Sequence, residues 1–183
     1  MKDIVPTMKT DGTNMERDGL LEVARKICIA ARTAPKGKGT DNLVTMVLTG
    51  TEKDEIARET QRIGEESGVA FFVRDANCLR AAGALVLLGT KFNTLGVPNC
   101  AFCGFKDCTE NEENNGICAF NTGDLGIALG SAVSVAADNR VDNRVFFSAG
   151  RAALNLKTLG PEVRIAYGIP LSVSGKSIFF DRK

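Results

Sequence analysis

The sequence contains no histidine and no tryptophan, and it has one tyrosine among its 183 residues. Histidine is the usual general base near neutral pH, so its absence excludes hydrolytic chemistry of the Ser–His or Cys–His kind. Variants that use a lysine or a carboxylate as the base stay open. The same absence means that any bound metal must be held by thiolates, with at most a carboxylate or a backbone group.

The chain also lacks a charge bias, because 23 basic residues stand against 22 acidic ones. A nucleic-acid-binding protein is expected to show a clear basic excess, so we expect no nucleic-acid partner. No apolar run approaches the roughly 20 residues that span a bilayer, and the N-terminus lacks the apolar stretch of a signal peptide. We therefore predict a cytoplasmic protein that does not associate with a membrane.

Length and composition predict one domain, residues 1–183, with a core of ordinary size. Helical spacing of apolar residues predicts helices at 14–32 and 51–67, a long helix after Cys118 and another helix starting at Asp142. Strands and helices alternate, which is typical of an α/β or α+β protein. The predicted strands are 43–49, 69–73, 84–88, 163–169 and 177–180.

Four of the six cysteines lie in one segment, residues 99–118, with the spacing C-x2-C-x4-C-x9-C. One tight turn can aim Cys100 and Cys103 at the same point, and Cys108 and Cys118 complete a set of four thiols. Four thiolates suit either a tetrahedral zinc ion or an iron–sulfur cluster. The sequence therefore predicts a metal centre with these four ligands.

Several features favour a cluster over zinc, which remains the alternative. Zinc sites usually have two C-x2-C pairs, whereas here one pair is present and three cysteines fall within nine residues. The nearby Phe102, Phe105 and Phe120 can form an apolar shell that limits solvent access and tunes a redox potential. The acidic residues of the segment outnumber its single lysine, Lys106, which favours a low potential.

The other two cysteines, Cys28 and Cys78, lie on predicted helices. We interpret Cys28 as a small buried core residue, since free cysteine is among the most buried residue types. Cys78 has the same interpretation, with a substitute ligand or redox partner as the alternative.

A basic, glycine-containing loop, A-P-K-G-K-G-T-D-N, follows the first helix at residues 34–42. Pro35 ends the helix, the two glycines would let a ligand approach the backbone, and Lys36 and Lys38 add positive charge. The loop is either an anion- or cofactor-binding loop or a solvated basic turn, and its spacing does not match the nucleotide P-loop.

The run C-A-F-C-G-F-K-D-C resembles the opening of [4Fe–4S] domains in RnfB-type electron-transport subunits and in the small corrinoid-protein subunits of acetyl-CoA pathways. The fourth cysteine of those families comes later than Cys118 does here. With the following D-L-G-I-A-L-G-S-A, the whole chain resembles an uncharacterised prokaryotic family of ferredoxin-domain proteins. This resemblance implies an iron–sulfur protein.

Residues 30–48 and the closing V-R-I-A-Y-G-I-P are similar to segments of nitroreductase-type flavoproteins. That resemblance implies an α+β fold, a three-layer α/β/α domain with residues 99–118 as a cysteine-rich insertion, and a homodimer that binds FMN at its interface. The arginine-rich opening motif of that family is missing, and the Lys36–Lys38 loop would take its place. The implied flavin contacts are Ala34, Pro35, Lys36, Asn42 and Gly168, and the implied phosphate contacts are Arg32, Lys38, Lys176 and Arg182.

The sequence thus predicts an iron–sulfur redox protein that transfers electrons, or a flavin-dependent oxidoreductase that reduces an unknown small substrate. Its partners would be a second copy of the chain and a redox protein or small molecule. The alternative is a non-enzymatic binding or sensor module that a cluster or zinc stabilises, on a nitroreductase-like scaffold.

Overall fold

An antiparallel sheet forms the centre of the protein in the computed structural model, which describes residues 9–180. Its four strands lie in the order β1-β2-β4-β3, so each connection between neighbours in the sheet passes through helices. The strands are β1 (Leu43–Leu48), β2 (Ala84–Lys91), β3 (Asp142–Asn143) and β4 (Val163–Ser172).

Strand β2 is the most buried element, because it pairs with β1 on one side and β4 on the other. Val86 and Leu88 point into one core, and Leu85 and Leu87 point into the other. A strand covered on both faces needs a continuous apolar run rather than an alternating one. The run A-L-V-L-L meets this requirement.

Two layers of helices cover the sheet, which confirms the predicted α+β fold with an α/β/α arrangement. The first and fifth helices pack on one face of the sheet, and the second, third and sixth pack on the other. The helices are α1 (Gly12–Thr33), α2 (Gly50–Ser67), α3 (Ala70–Ala81), α4 (Cys108–Glu113), α5 (Ala119–Asp138) and α6 (Phe147–Asn155).

Local signals account for several of these boundaries. Helix α1 begins where the Asp11 carboxylate accepts a hydrogen bond from the Asn14 N–H at 3.0 Å, which is N-terminal capping. Helix α2 ends at Gly68, which adopts a left-handed conformation with φ of 69°. No helix among residues 9–180 is long and apolar enough to cross a membrane.

Two predicted strands were wrong. Residues 69–73, predicted as a strand, belong almost entirely to α3. There Phe72 is buried against Gly64 of α2, where a Cβ would lie 2.8 Å from the Phe72 Cβ. Residues 177–180, also predicted as a strand, contain a turn at 178–180. The helix predicted from Asp142 is present as α6, but it begins at Phe147, because Asp142 and Asn143 form the short strand β3. Short apolar runs suit helix and strand equally well until their packing partners are known.

Candidate metal centre

The cysteine segment, residues 99–118, connects the end of the β2 region to α5 and contains little regular structure. Cys100 and Cys103 lie in the turns that precede α4, and Cys108 is the first residue of that helix. Cys118 is the N-terminal capping residue of α5. The N-terminus of a long helix favours an anionic group such as a thiolate.

All four of these cysteines line one cavity of about 300 Å³, and each is half-buried. The segment brings together residues that are up to 18 positions apart in sequence, because it folds back on itself before α5 begins. Residues 94–99, which follow β2, form another part of the wall. The donor set and the size of this cavity suit a polyatomic centre held by sulfur.

The backbone around Cys100 has an unusual conformation. Asn99, Ala101 and Gly104 have φ values of 55°, 47° and 85°, which is the left-handed region that most side chains avoid. The Gly104 N–H donates to the Ala101 carbonyl at 3.0 Å and closes the turn that carries Cys103. This tight turn brings Cys100 and Cys103 to the same cavity.

Helix α4 is held by its own first turn. The Asp107 carboxylate accepts a hydrogen bond from the Glu110 N–H at 2.9 Å, and the Glu110 carboxylate accepts one from the Lys106 N–H at 2.5 Å. This reciprocal pattern resembles a capping box. It fixes Cys108 relative to the turn that carries Cys103.

Asn111 and Gly116 determine how the segment returns toward Cys118. Asn111 is 1% exposed, lines the cavity, and donates from Nδ2 to the Ile117 carbonyl at 3.3 Å. A Cβ on Gly116 would lie 2.4 Å from the Phe105 ring. Only glycine therefore allows the chain to pass so close to that ring.

Two phenylalanines form the outer wall of the site. Phe102 is 75% exposed and stacks on Phe120, with ring centroids 5.7 Å apart and planes inclined by 13°. Both rings also line a shallow apolar groove together with Pro35 and Ile127. The third predicted aromatic, Phe105, lies inside the segment against Gly116.

The thiols are not arranged around a point that would suit a single ion. In the part of the chain that the structure describes, no three cysteine, aspartate or glutamate side chains are close enough together to hold one metal ion. In a tetrahedral zinc site, sulfurs about 2.3 Å from the metal must approach each other closely.

The two remaining cysteines lie away from this cavity. Cys28 packs at the edge of the α1/α5 core, and Cys78 packs at the edge of the core on the other face of the sheet. Burial raises the pKa of both thiols, so both stay protonated at neutral pH. The Cys78 thiol contacts the Ile178 carbonyl at 3.5 Å.

Two of the basic residues that the nitroreductase resemblance assigns to FMN bind protein groups. Lys36 Nζ donates to the carbonyls of Arg32 and Ala34, both at 2.7 Å, and so caps the end of α1. Arg32 donates to the Asp41 carboxylate and to the Leu43 carbonyl, also at 2.7 Å. The positive charge of this loop is thus bound to protein groups.

The other predicted flavin contacts are dispersed. Ala34 is buried and Pro35 lies on the apolar groove. Gly168 packs closely against α6, because a Cβ added at this position would lie 2.6 Å from the Ala149 Cβ. Asn42 and Lys36 share a cavity of only about 10 Å³. Lys176 lies in an exposed bend after β4, and Arg182 is outside the described residues.

Two residues near the metal centre were missed by the sequence analysis. Asn93 and Asn121 are hydrogen-bonded to the predicted flavin contact Asn42. Asn121 is 3% exposed, and an asparagine in the first turn of a helix gives no signal that it is buried. Only the packing of α5 against the loop before β1 reveals these contacts.

A family described as uncharacterized protein containing a ferredoxin domain (DUF2148) matches residues 114–182. A protein of Archaeoglobus fulgidus, named only as an uncharacterized protein, is 39% identical over an alignment of 178 residues. The alignment covers 92% of this chain and 95% of that protein. The chain belongs to this ferredoxin-domain family. The matched residues include Cys118 and begin after the other three cysteines of the segment.

Solved structures of nitroreductases share the fold at low sequence identity. A nitroreductase with bound FMN from Desulfitobacterium hafniense aligns with a TM-score of 0.58 and 14% identity, over 96% of this chain and 84% of that one. CinD of Lactococcus lactis, in complex with nicotinic acid, aligns with a TM-score of 0.56 and 13% identity, over 93% and 95%. The FMN-dependent NfnB of Mycobacterium smegmatis, in complex with NADPH, aligns with a TM-score of 0.58 and 13% identity, over 87% of this chain and 81% of that one. The ferredoxin-domain family member described here therefore has a nitroreductase-like fold.

Proposed function

We propose that this protein is an iron–sulfur redox protein in which Cys100, Cys103, Cys108 and Cys118 hold a [4Fe–4S] cluster and which transfers electrons. The observation that carries the proposal is that all four thiols line one cavity of about 300 Å³. The ferredoxin-domain family and the fold of redox flavoproteins support the same general function.

A cluster suits this site better than zinc does. The cavity is much larger than an ion, and no three candidate ligands within residues 9–180 converge on one point. When bound, a [4Fe–4S] cluster supplies one-electron transfer, with a potential that depends on charge, hydrogen bonds and solvent exposure. The chain supplies the thiolates and sets that environment.

The surroundings of the site favour a low reduction potential. Asp107, Glu110, Glu112 and Glu113 lie on or next to α4, and Lys106 is the only cation of the segment. Negative charge near a cluster disfavours the addition of an electron. Phe120 lines the cavity and stacks on Phe102, so one wall of the site is apolar.

Anaerobic purification tests this proposal directly. We expect a brown protein with about four iron and four sulfide ions per chain, and an absorbance band that bleaches on reduction with dithionite. A colourless protein without iron or sulfide, prepared without oxygen, would refute the cluster. Zinc in place of iron would assign a structural metal site to the same four cysteines.

A second candidate function is a binding or sensor module without flavin, with the metal centre as its stabilising element. The observation that favours it is that Arg32, Lys36 and Lys38 all bind protein groups. Flavin analysis of the purified protein and titration with FMN test this second candidate, and stoichiometric FMN would argue against it. Without FMN, a cluster that is reduced and reoxidised reversibly would favour electron transfer, whereas a centre that does not change its redox state would favour the binding or sensor module.

We also propose that the chain forms a homodimer through the outward face of α5. Gly123, Gly126, Gly130 and Ser134 on this face are exposed and uncharged, and Ile127 is exposed among them. Two copies of such a face can approach closely without repulsion between like charges.

Light scattering of the Ile127→Glu variant tests this dimer interface, with Ile29→Glu on the exposed face of α1 as the matched control. An unchanged dimer in Ile127→Glu would exclude this interface.

A further inference from the structure

The loop of residues 36–42, between α1 and β1, contacts the cysteine segment and its flanks at several points. The nitroreductase resemblance assigns this loop to a flavin, but the Asn42 amide, the Lys38 ammonium group and the Gly37 N–H contact the residues that lead into and out of the cysteine segment. The contacts fall into three groups, formed by Asn42, Lys38 and Gly37.

Asn42 takes part in a closed ring of hydrogen bonds among three asparagines. Asn42 Nδ2 donates to Asn121 Oδ1 at 3.0 Å, and Asn121 Nδ2 donates to the Asn93 carbonyl. Asn93 Nδ2 completes the ring by donating to Asn42 Oδ1 at 3.0 Å. Asn93 lies shortly before the cysteine segment and Asn121 shortly after Cys118, so the ring joins both ends of the segment.

Two of the three asparagines are buried. Asn42 is 7% exposed and Asn121 is 3% exposed, whereas Asn93 is exposed, so water cannot readily replace the contact between Asn42 and Asn121. A buried amide that loses its partner is costly, which makes a fully satisfied ring a strong constraint on position. The ends of the segment are therefore held at a defined separation.

Lys38 adds a second contact at the entry of the segment. Its ammonium group donates to the carbonyls of Leu95 and Gly96, at 3.0 Å and 3.3 Å. Lys38 itself has a φ of 54°, a conformation that persists where surrounding contacts determine it. Both carbonyls lie a few residues before Cys100.

Gly37 provides the third contact. Its N–H donates to both oxygens of the Asp124 carboxylate, at 3.1 Å and 3.0 Å. A Cβ on Gly37 would lie 2.9 Å from Leu95 Cδ1 and 3.1 Å from Phe120 Cδ1. The loop thus packs directly between the entry of the segment and the first turns of α5.

We propose that Asn42 and Lys38 are positioning residues for the metal centre, and that the 36–42 loop orients the four cysteines instead of binding a phosphate group. This inference rests on the proposed cluster function. The segment itself contains one short helix and several residues with positive φ. The separation of Cys100 from Cys118 therefore depends on how the flanks are held, and the loop holds both.

The test compares Asn42→Leu and Lys38→Met with matched controls in the anaerobic, cluster-containing protein. Asn143→Leu is the control for the amide, because Asn143 bonds the Val141 carbonyl, away from the segment. Lys26→Met is the control for the cation, because Lys26 is exposed and pairs with Glu22 within α1, away from the loop and the segment. Lys38→Arg is the conservative variant that should restore the contact.

The readouts are the rate of cluster loss in air-saturated buffer and the EPR spectrum of the reduced cluster. We expect Asn42→Leu to lose the cluster about tenfold faster or more, the range known for residues that orient metal ligands, with an altered EPR spectrum. Lys38→Met should shift both readouts in the same direction by less, and Lys38→Arg and both controls should match the wild type. Wild-type rates and spectra in Asn42→Leu and Lys38→Met would overturn the inference, as would equal effects in the controls.

Hydrogen exchange of the metal-free protein separates this inference from the proposed function. If the wild type contains no iron, the cluster proposal fails. Hydrogen exchange can still measure whether the loop holds the cysteine segment in place. We expect faster exchange of residues 93–98 in metal-free Lys38→Met than in wild type, and unchanged exchange in Lys26→Met. Equal exchange in Lys38→Met and wild type would overturn the inference. Lys38 is exposed, so this variant decides the matter even if Asn42→Leu does not fold.

Discussion

Replacement of Asn121 by leucine tests the asparagine ring through its contribution to stability. Leucine has nearly the same shape, but it cannot accept from Asn42 Nδ2 or donate to the Asn93 carbonyl. The Asn42 amide would lose its acceptor in a site where Asn42 is 7% exposed and Asn121 is 3% exposed, whereas Asn93 is exposed and water can replace its lost contact. A buried polar group without a partner costs about 1–3 kcal/mol, and this cost falls mainly on the Asn42 amide.

We therefore expect Asn121→Leu to lower the free energy of unfolding by about 2 kcal/mol. For a chain of this size, that corresponds to a fall in Tm of about 4–8 °C. The measurement is urea unfolding followed by far-UV circular dichroism, with reductant and a chelator so that all variants are metal-free. An unchanged m-value would show that the same surface unfolds in each variant.

Thr122→Val is the matched control, because Thr122 is the next residue of α5, is exposed, and bonds only the Ala119 carbonyl within its own helix. Its free energy of unfolding should stay within about 0.5 kcal/mol of wild type. If Asn121→Leu were no less stable than this control, the ring would make no net contribution, and its role in holding the cysteine segment would lose its physical basis.

Further variants test the ligands, the inert thiols and the packing of the sheet. Cys103→Ser should abolish iron loading and Cys28→Ser should leave it largely intact, and equal iron content in the two would contradict the ligand assignment. Because burial raises the pKa of Cys28 and Cys78, both should react with iodoacetamide more slowly than glutathione at pH 8. The difference should shrink as the pH rises through the raised pKa values, and mass spectrometry of labelled peptides measures it. Gly150→Ala should lower the free energy of unfolding by about 3 kcal/mol or prevent folding, because the added Cβ would lie 1.8 Å from the Ala166 carbonyl oxygen. A wild-type urea midpoint for Gly150→Ala would show that α6 and β4 are packed less closely.

The family and fold were recognisable from sequence because their signals are local. The C-x2-C-x4-C-x9-C spacing needs only the order of residues, and the run A-L-V-L-L reads as a strand buried on both sides. The strand predicted at 69–73 failed because Phe72 finds its partner, Gly64, on the preceding helix. A short apolar run does not contain that information.

The assignment of the loop at 34–42 shows a different limit. Two lysines and two glycines in sequence are compatible with an anion site. In the structure, Lys36 caps α1 and Lys38 reaches the carbonyls before the cysteine segment. The sequence shows that these lysines can bind an anion or a carbonyl group. Which group each lysine binds depends on the carbonyls and carboxylates that the fold places near it.

By itself, the sequence determined the chemistry that is possible here: thiolates without histidine, in one segment and at a spacing that suits a cluster. Only the tertiary structure decided that four cysteines spread over residues 99–118 face one cavity. The physical reason is that the segment has too little secondary structure to fix its own shape. Its ends are placed by β2, by α5 and by the asparagine ring around Asn42, and these contacts are far apart in the chain.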